Sequence, residues 1–346
     1  MLNGMSEVAG QGIYTVQGLI VNDVSANMAV WSRNISGYET DIDLKIDKKK
    51  KIAFPFYAIK MVIFAVKAGF KYDTFHSHAG YSLLPFNIDT GVLKLFKRKI
   101  FAEFHGSEIR NLFENHTYEY FDVDWKNVRI KRKQQKRVMR LLKSARGIII
   151  HDYELLPHIP SECSIPVYIV PLRLNISKFS PQYPNPSVQK VKIVHAPSKR
   201  RTKGTEQILR ELQKVSSEYE LILVENKTQE DAFKIYKEAD IIIDQISVGT
   251  YGVFAIEAMA LGKPVITYID SEIKKTFPKE LPIVSADFNN LHEVVEHLIR
   301  NGELRYSLGK QGRKYVERYH DNIKVTRYLK DIYCGDIKEK DLFKVL

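Results

Sequence analysis

Short apolar runs alternate with longer amphipathic segments along most of the chain. In the amphipathic segments the apolar residues recur every three or four positions, which is the spacing of a helix with one buried face. Strands that alternate with helices predict βαβ units and therefore parallel sheets. The predicted strands are Ala29–Trp31, Thr74–His76, Lys99–Phe104, Gly147–His151, Val167–Val170, Val191–His195, Glu220–Glu225, Asp240–Asp244, Pro264–Tyr268 and Leu281–Val284. The predicted helices include Gly204–Ser217, Thr228–Glu238, Phe254–Leu261, Leu291–Asn301 and a long last segment, Asn322–Lys344.

This alternation occurs twice, once before about residue 172 and once after about residue 190. With 346 residues, the chain is long enough for two domains that each have their own core. Prolines interrupt regular structure between the two halves, at Pro171, Pro181, Pro184 and Pro186. We therefore expect an α/β protein with two doubly wound parallel-sheet domains, residues 1–171 and 172–321. Residues 322–346 are expected to be a helical segment that packs back on the first domain.

The beginning of the chain departs from this pattern. A sheet of this type normally opens with an apolar strand that runs into a glycine-bearing loop. Gly10 and Gly12 form a candidate loop here, but only Met1–Val8 precedes it. The first strand is therefore expected to be either very short or missing from this chain.

The composition is that of a globular protein and excludes several other classes. Hydrophobic residues make up 44% and charged residues 27%, which excludes wholesale disorder, collagen and coiled coil. Cys163 and Cys334 alone cannot form a disulfide framework or a four-thiolate zinc site. No secretion signal is recognised, and the most apolar stretch, Ile52–Phe70, is interrupted by a proline and two lysines. These features predict a soluble, cytoplasmic protein.

Positive charge is concentrated in the first half of the chain. The net charge is +12, yet residues 45–146 alone hold 23 basic and nine acidic side chains. Residues 126–146 include ten basic residues and no acidic one, with apolar residues at helical spacing, which predicts a basic amphipathic helix. Such a helix can be a solvated face, or it can bind a polyanion such as an anionic membrane leaflet or a nucleic acid. Charge alone does not distinguish these alternatives.

The loop after the predicted strand Val191–His195 is suited to binding an anion. It contains Arg200, Arg201 and Lys203, followed by Gly204 where a helix begins. A helix N-terminus offers unpaired N–H groups and partial positive charge, and the side chains add full charges. The alternative is a solvated basic loop.

A second candidate follows the predicted strand Asp240–Asp244. Gly249 and Gly252 allow the backbone to approach a ligand closely, and the helix that begins near Gly252 directs its N–H groups to the same place. Glu257 lies one turn into this apolar helix, where burial without a partner would be costly. Its carboxylate could accept hydrogen bonds from two ribose hydroxyls, or it could belong to a structural ion pair.

Several motifs resemble those of one enzyme family. Gly252–Ile266 resembles the signature of GT-B glycosyltransferases of the retaining family 4 group, the glycosyl transferases group 1. His195–Thr205 and Tyr236–Gln245 are similar to neighbouring blocks of that family, in the expected order and spacing. In the first half, Ala9–Gly12 resembles the first glycine loop and Phe104–Arg110 the histidine–glycine block.

The resemblance implies a GT-B fold, with two Rossmann-like domains that face each other across a cleft. It also implies transfer of a sugar, with retention of anomeric configuration, from a UDP- or GDP-linked donor to a glycan or lipid-linked glycan, in cell-surface polysaccharide or glycoconjugate synthesis. The first domain would then bind the acceptor and the second the nucleotide sugar. No cofactor is expected besides this nucleotide-sugar substrate.

The resemblance also assigns roles by position. The implied catalytic residues are His105, beside the transferred sugar, and Lys203 and Arg200, which would neutralise the diphosphate. The donor site would further contain Glu257 at the ribose hydroxyls, Arg201, Thr250 and the backbone N–H groups of Gly252, Val253 and Phe254. The expected acceptor site contains Gly10, Gly12, His76 and His78.

Two positions depart from the family pattern. Gly249 stands where an upstream glutamate is common. The role of that glutamate could be lost, or it could be taken by Thr250, Ser247 or a water. Ser198 stands where an arginine is usual, and the nearby arginines could compensate. These departures leave open a non-catalytic or degenerate subunit that binds a sugar nucleotide. A GT-B nucleotide-sugar epimerase is a further alternative within the same fold.

No acidic pair of the metal-dependent type stands beside the candidate diphosphate site, so no metal is expected. A helix N-terminus and cations can stabilise a leaving diphosphate electrostatically. Retention implies front-face attack, in which the leaving phosphate helps to deprotonate the acceptor. An inverting reaction would need a general base, for which His76, His78 and His105 are the candidates.

The charge of the first half agrees with an acceptor that is anchored in an anionic membrane. We therefore expect peripheral contact with the inner face of the membrane through residues 126–146. No nucleic-acid-binding motif is recognised, so no nucleic-acid partner is expected.

Overall fold

The computed structural model describes residues 1–32, 38–47, 50–113, 127–337 and 339–346. These residues divide into two compact units. The first contains the described residues up to Arg173 together with Asn322–Val345, and the second contains Leu174–Asp321. The first stretch thus ends two residues beyond the expected boundary at residue 171, and the C-terminal helix belongs to the first unit.

The described residues form eleven strands and twelve α-helices. The strands are β1 Leu2–Met5, β2 Asn27–Val30, β3 Ile42–Asp43, β4 Thr74–His78, β5 Lys99–Phe104, β6 Gly147–Ile150, β7 Val167–Ile169, β8 Val191–His195, β9 Tyr219–Leu223, β10 Ile241–Ile243 and β11 Val265–Ile266. The helices are α1 Gln11–Val21, α2 Phe54–Lys71, α3 Thr90–Leu95, α4 Val128–Leu142, α5 Arg200–Lys203, α6 Thr205–Leu212, α7 Gln229–Glu238, α8 Val253–Ala260, α9 Ser271–Lys274, α10 Leu291–Arg300, α11 Gly302–Tyr319 and α12 Asn322–Cys334. None of the helices in the described ranges combines the length and apolarity needed to cross a membrane.

The first unit is built on a parallel sheet, whose described strands are ordered β3-β2-β1-β4-β5-β6-β7. The chain begins in the middle with β1, extends the sheet to one edge and then returns to build the other side. The direction of winding therefore reverses between β1 and β4. In doubly wound sheets, ligands bind beside the carboxyl ends of the strands at this reversal.

The second unit is also built on a doubly wound parallel sheet, which is smaller. Its described strands are in the order β11-β10-β8-β9, and all are parallel. Its reversal lies between β8 and β10. The core contains Ile193 and Ile241 from these two strands, Ile208 from α6, and Leu291 and Val295 from α10, and all five are buried. The loops after β8 and β10 therefore meet at one edge of a well-packed sheet.

The expected first strand is present and short. Leu2–Met5 pairs with β2 on one side and with β4 on the other. A Cβ atom at Gly4 would lie 2.5 Å from the carbonyl oxygen of Ala29, so this position requires glycine for the close approach of β1 and β2.

The two predicted parallel-sheet domains are confirmed, and most of the predicted strands and helices form. Leu281–Val284 is an exception, because Val284 makes only a single bridge to Ile266. The predicted helix Gly204–Ser217 ends at Leu212, and Gly204, with φ +73°, separates it from the one-turn helix α5.

The last helix also differs from its predicted extent, since it ends at Cys334 before Gly335, which has φ +89°. This helix packs against α1. The side-chain amide of Asn22 donates to the Ile323 carbonyl at 2.8 Å, and that of Asn322 donates to the Tyr14 carbonyl at 3.1 Å.

Candidate functional site

Polar side chains gather at the carboxyl ends of the central strands in each unit. In the second unit, Lys203 is held by two side chains that follow β10. Its Nζ lies 2.5 Å from Asp244 Oδ1 and 2.9 Å from Gln245 Oε1, while Gln245 Nε2 donates to the Thr250 carbonyl at 2.6 Å. Asp244 and Thr250 are buried. This network joins the loop after β8 to the loop after β10, and it brings together Lys203 and Thr250, both expected at one site.

Asp244 is the member of this network to which the sequence assigned no role. Its Oδ1 pairs with Lys203, whereas the buried Oδ2 has no hydrogen-bond partner among the described residues. A buried carboxylate oxygen without a partner is costly, so this atom is a ready acceptor for a hydroxyl or a water. The sequence offered one signal, because Asp244 is an acid at the end of the predicted strand Asp240–Asp244, just before the loop that contains Gly249 and Gly252.

Glu257 lies one turn into α8 and is buried. Burial and, to a smaller extent, the negative charge of Asp244 raise its pKa, the positive charge of Lys203 partly opposes the shift, and the resulting pKa is about 8. The free protein therefore holds this carboxyl mainly in the protonated form at pH 7. Hydroxyl donors placed against it would favour the carboxylate form.

The N-terminus of α8 offers backbone donors. Its N-cap, Gly252, has no side chain that could accept from these N–H groups. A Cβ atom at Gly252 would meet nothing within 4 Å, and Val253 and Phe254 are only partly buried. Gly249, with φ +86°, makes the turn before them in a conformation that a glutamate would rarely adopt. This end of α8 is therefore open space lined by N–H groups, which suits an anion.

The arginines of the basic loop differ from Lys203. Arg200 lies 2.8 Å from Glu206 and 3.0 Å from Glu225, and 40% of its side chain is exposed. Arg201 is exposed as well. The structure therefore does not place Arg200 in the Lys203 network, and the expected role of Arg200 at a diphosphate would require it to leave both glutamates.

His195, in the same block of sequence, has a structural place. Its Nδ1 lies 2.8 Å from the Ile243 carbonyl and its Nε2 lies 2.9 Å from Thr205 Oγ1. Because a carbonyl only accepts, Nδ1 carries the proton and Nε2 accepts from the threonine hydroxyl. Burial lowers the pKa of His195 to about 4, so the ring is neutral and links β8 and β10 to α6.

In the first unit a buried carboxylate joins the ends of β4 and β5. Glu103 forms an ion pair with Arg173 and lies 2.9 Å from His76 Nε2 and 3.2 Å from His78 Nδ1. Burial by itself would raise the pKa of Glu103, but the Arg173 guanidinium and the imidazoles outweigh it and hold the pKa well below its usual range. Glu103 is therefore a carboxylate whose charge Arg173 balances.

His76 and His78 are buried inside this cluster, and their contact with an acceptor stays a prediction. His76 Nδ1 lies 2.7 Å from the hydroxyl of Tyr333 on α12, and His78 Nε2 lies 3.4 Å from Asn3 Oδ1 on β1. Burial lowers the pKa of both imidazoles. Within the unit, the two rings connect β1, β4 and α12.

His105 is only partly buried, unlike these two histidines. Its Nε2 lies 3.2 Å from His78 Nδ1, and its backbone N–H donates to the carboxylate of Glu108. Its Nδ1 has no hydrogen-bond partner within the described ranges. Burial lowers the pKa of His105, so the ring is neutral. One buried ring nitrogen at the end of β5 thus has no partner among the described residues.

Residues 190–315 match the family model of glycosyl transferases group 1, and this segment contains Lys203, Asp244 and Glu257. The matched residues all lie in the second unit. A search of curated protein sequences finds no match to the chain.

Solved structures resemble the chain over nearly its whole length. Sucrose-phosphate synthase from Thermosynechococcus elongatus is 17% identical, with a TM-score of 0.68 over 96% of this chain and 98% of that one. HepE from Anabaena, solved with UDP-glucose, is 10% identical, with a TM-score of 0.66 over 96% and 98%. WaaG, a glycosyltransferase involved in lipopolysaccharide biosynthesis, is 11% identical, with a TM-score of 0.62 over 97% and 100%. The chain has the GT-B fold, as the resemblance implied.

Three side chains of the GT-B first unit could in principle ligate a metal. Ligand atoms of His76, His78 and Glu103 lie within 4.8 Å of one another. However, His76 also contacts Tyr333, and Glu103 is paired with Arg173, whose positive charge opposes a nearby cation. The donor set is therefore better described as a charge-balanced hydrogen-bond network.

The glycine loop before α1 is filled by the protein's own atoms. Glu7 Oε2 accepts from the Ile13 N–H at 2.9 Å. A Cβ atom at Gly12 would lie 2.7 Å from Met28 Sδ, and one at Gly10, whose φ is +86°, would lie 2.5 Å from the Tyr14 ring. Internal packing explains both glycines, and their contact with a donor or an acceptor stays a prediction.

Proposed function

We propose that this protein is a retaining glycosyltransferase that uses a UDP- or GDP-linked sugar and needs no metal. The observation that carries the proposal is the arrangement of Lys203, Asp244 and Glu257 beside the open N-terminus of α8. The arrangement lies inside the segment that matches glycosyl transferases group 1. One of the similar solved structures is a complex with UDP-glucose.

The diphosphate of the donor binds at the N-terminus of α8. The N–H groups of Val253 and Phe254 donate to phosphate oxygens, and Lys203 supplies a full positive charge. In the free protein Lys203 is already paired with Asp244, so the diphosphate shares this lysine with the aspartate. The ribose hydroxyls donate to Glu257, which loses its proton on binding because hydrogen bonds to the charged form lower its pKa.

The chemical step exchanges one bond at the anomeric carbon. The bond to the diphosphate oxygen breaks, a bond to the acceptor oxygen forms on the same face, and the acceptor proton moves to the leaving phosphate. Lys203 and the end of α8 stabilise the negative charge that develops on the diphosphate. His105 contributes its partly buried ring beside the transferred sugar. If the product were inverted, His105 would be the candidate base, since His76 and His78 are buried.

The acceptor in this proposal is a glycan or lipid-linked glycan of cell-surface polysaccharide or glycoconjugate synthesis, and the protein works at the inner face of the membrane. Of the ten basic residues in 126–146, Lys126 lies outside the described residues and Arg137 is buried with its guanidinium 3.6 Å from the Tyr81 ring centroid. Seven are exposed: Arg129, Arg132, Lys133, Lys136, Arg140, Lys143 and Arg146. This surface agrees with peripheral contact to anionic lipid.

The proposal is tested in two stages. Thermal unfolding with a panel of UDP- and GDP-sugars identifies the donor, because a ligand at 100 times its Kd adds about 2.7 kcal/mol of stability. NMR spectroscopy of the product formed with that donor and a panel of glycan acceptors, with and without EDTA, then reports the anomeric configuration and any metal requirement. A product of retained configuration that forms equally with EDTA is expected. Conversion of the donor without an acceptor would indicate an epimerase.

Binding without any turnover would instead indicate a non-catalytic subunit. Gly249 is the specific observation that favours this second candidate. Its φ of +86° shows that a glutamate could not simply replace glycine in the present backbone.

A further inference from the structure

Large apolar side chains are exposed on one surface of the first unit. Thirteen of the twenty large apolar side chains that are exposed in the described residues lie between Ile52 and Phe96. We call residues 52–71 and 86–97, which include α2 and α3, the α2–α3 surface. Soluble monomers rarely leave so many neighbouring apolar side chains in water, so this surface calls for an apolar partner.

Helix α2 has two apolar faces. Phe56, Ile59, Ile63, Val66 and Phe70 follow each other at three- and four-residue spacing, which places them on one stripe, and each is at least half exposed. The opposite face carries Met61, Ala65 and Ala68, which are buried. One face thus packs within the unit, while the other offers a continuous apolar stripe.

The stripe continues onto α3. The rings of Phe70 and Phe96 are 6.4 Å apart between centroids. A groove of about 290 Å³ lies between the two helices, and its walls include Val62, Val66 and Val92. The apolar area therefore extends over two helices and the groove between them.

The charge that surrounds this area is positive. Lys60, Lys67 and Lys71 border the α2 stripe, and no acidic residue occurs between Lys50 and Tyr72. On α3, Lys94 Nζ donates to the Lys143 carbonyl at 2.8 Å. This contact places the end of the basic helix α4 beside the α2–α3 surface.

The acidic residues of this part of the chain do not cancel the positive charge around the α2–α3 surface. In residues 50–98 they are Asp73, which forms an ion pair with Arg98, and Asp89, which is buried. An apolar stripe with a basic border is the composition of helices that lie in the headgroup region of anionic membranes. Lysine stems can cover apolar surface while their ammonium groups reach the lipid phosphates.

We propose that the α2–α3 surface inserts its apolar side chains into the interfacial region of an anionic bilayer, with α2 parallel to the membrane plane. The cations of α2, α3 and α4 contact the lipid phosphates. This adds an apolar anchor to the electrostatic contact expected of residues 126–146. The proposed insertion does not rest on the proposed glycosyl transfer, so either proposal can fail while the other holds.

Flotation of the full chain with vesicles tests the proposal. Vesicles of phosphatidylcholine alone are compared with vesicles that contain 30% phosphatidylglycerol, at low and at 1 M salt. We expect binding to the anionic vesicles, of which a measurable part persists in 1 M salt because insertion is apolar. Loss of all binding in 1 M salt would overturn insertion, since a purely electrostatic contact behaves in this way.

Two variants make the test specific to the surface. F56S/I63S/F70S removes three exposed side chains from the stripe and should lower binding at least tenfold. I20S/V21S removes exposed side chains of α1 and should leave binding unchanged. Equal binding by the wild type and F56S/I63S/F70S would overturn the proposal. So would a wild-type dimer in light scattering that this variant converts to a monomer, because the surface would then be covered by a second copy.

A single substitution reports the depth of insertion directly. In I63W, a tryptophan on the stripe should shift its emission to shorter wavelength with anionic vesicles and be quenched by brominated lipid. Emission that does not respond to vesicles which bind the protein would contradict insertion of this stripe. Circular dichroism confirms that each variant is folded.

Discussion

The Nζ atom of Lys203 lies 2.5 Å from the Oδ1 atom of Asp244. This pair neutralises the lysine in the free protein, while burial keeps nearby Glu257 largely protonated. The pocket is therefore close to neutral before a ligand enters. A diphosphate changes that balance, because it competes with Asp244 for Lys203, and ribose hydroxyls favour the ionised form of Glu257. Affinity should thus depend on pH and on Asp244 in predictable directions.

Affinity for a nucleoside diphosphate is expected to rise between pH 7 and pH 9. With a pKa of about 8, Glu257 is a carboxylate in about a tenth of the molecules at pH 7 and in about nine tenths at pH 9. A ligand that requires the carboxylate should bind about tenfold more tightly at the higher pH. Calorimetric titration with UDP and with GDP at pH 7, 8 and 9 measures this, in a range where their phosphates are already ionised.

Glu257→Gln is the matched control for this titration, because it keeps the shape of the side chain but cannot ionise. We expect weaker binding that is the same at all three pH values. A wild-type affinity that stays constant or falls as pH rises would contradict the contact between Glu257 and the ribose.

In the Asp244→Asn protein, the rise in affinity for a nucleoside diphosphate is expected to occur at lower pH than in the wild type. The charge of Asp244 raises the pKa of Glu257, so its removal lets Glu257 ionise more easily. The same titrations measure the midpoint, which is the pH at which half of this rise in affinity has occurred. Glu225→Gln removes an acid that pairs with Arg200 and should leave the midpoint in place. An unchanged midpoint in the Asp244→Asn protein would show that Asp244 does not act on Glu257.

Lys203 and Arg200 are expected to differ in their effect on donor binding. Lys203→Ala should weaken binding of the diphosphate about tenfold to hundredfold, as expected for the loss of a charge-assisted hydrogen bond. Arg200→Ala should change it by less than about threefold, because Arg200 is partly exposed and engaged by two glutamates. Both variants are titrated with the same ligand. Equal losses of affinity would indicate that Arg200 binds the diphosphate as Lys203 does.

Glu103→Gln is expected to destabilise the first unit strongly. Loss of the carboxylate would leave the Arg173 guanidinium buried without its counter-charge, which typically costs about 3–5 kcal/mol. Asp73→Asn breaks an ion pair whose aspartate is exposed and should have little effect. Urea unfolding of the two variants measures the difference. Similar stabilities would show that the Glu103 cluster does not hold β4, β5 and α12 together.

Several features could be predicted because they depend on neighbours in sequence. The strand Lys99–Phe104 forms as expected, since its alternation with amphipathic helices is local. Lys203 and Glu257 were recognised from motifs whose spacing the GT-B fold maintains. The pairing of Lys203 with Asp244 was not predicted, because the two residues are far apart in sequence and meet only when β8 and β10 pair.

The histidines and α2 show a second limit of prediction from sequence, which is that burial is not visible in the residue types. His76, His78 and His105 look alike as residues, and only the packed sheet reveals that two are buried while the third is partly exposed. In Ile52–Phe70, apolar residues occupy both faces of a helix, so the pattern did not indicate which face would remain exposed. Burial by neighbouring elements decides these cases.

The central claim is that the second unit holds the nucleoside diphosphate of a sugar donor. A crystal structure of the full chain with UDP, and another with GDP, tests it most directly. In at least one of them we expect phosphate oxygens within hydrogen-bond distance of Lys203 Nζ and of the first N–H groups of α8, with the ribose hydroxyls on Glu257. A nucleotide that calorimetry shows to bind, yet that lies away from these groups, would contradict the account.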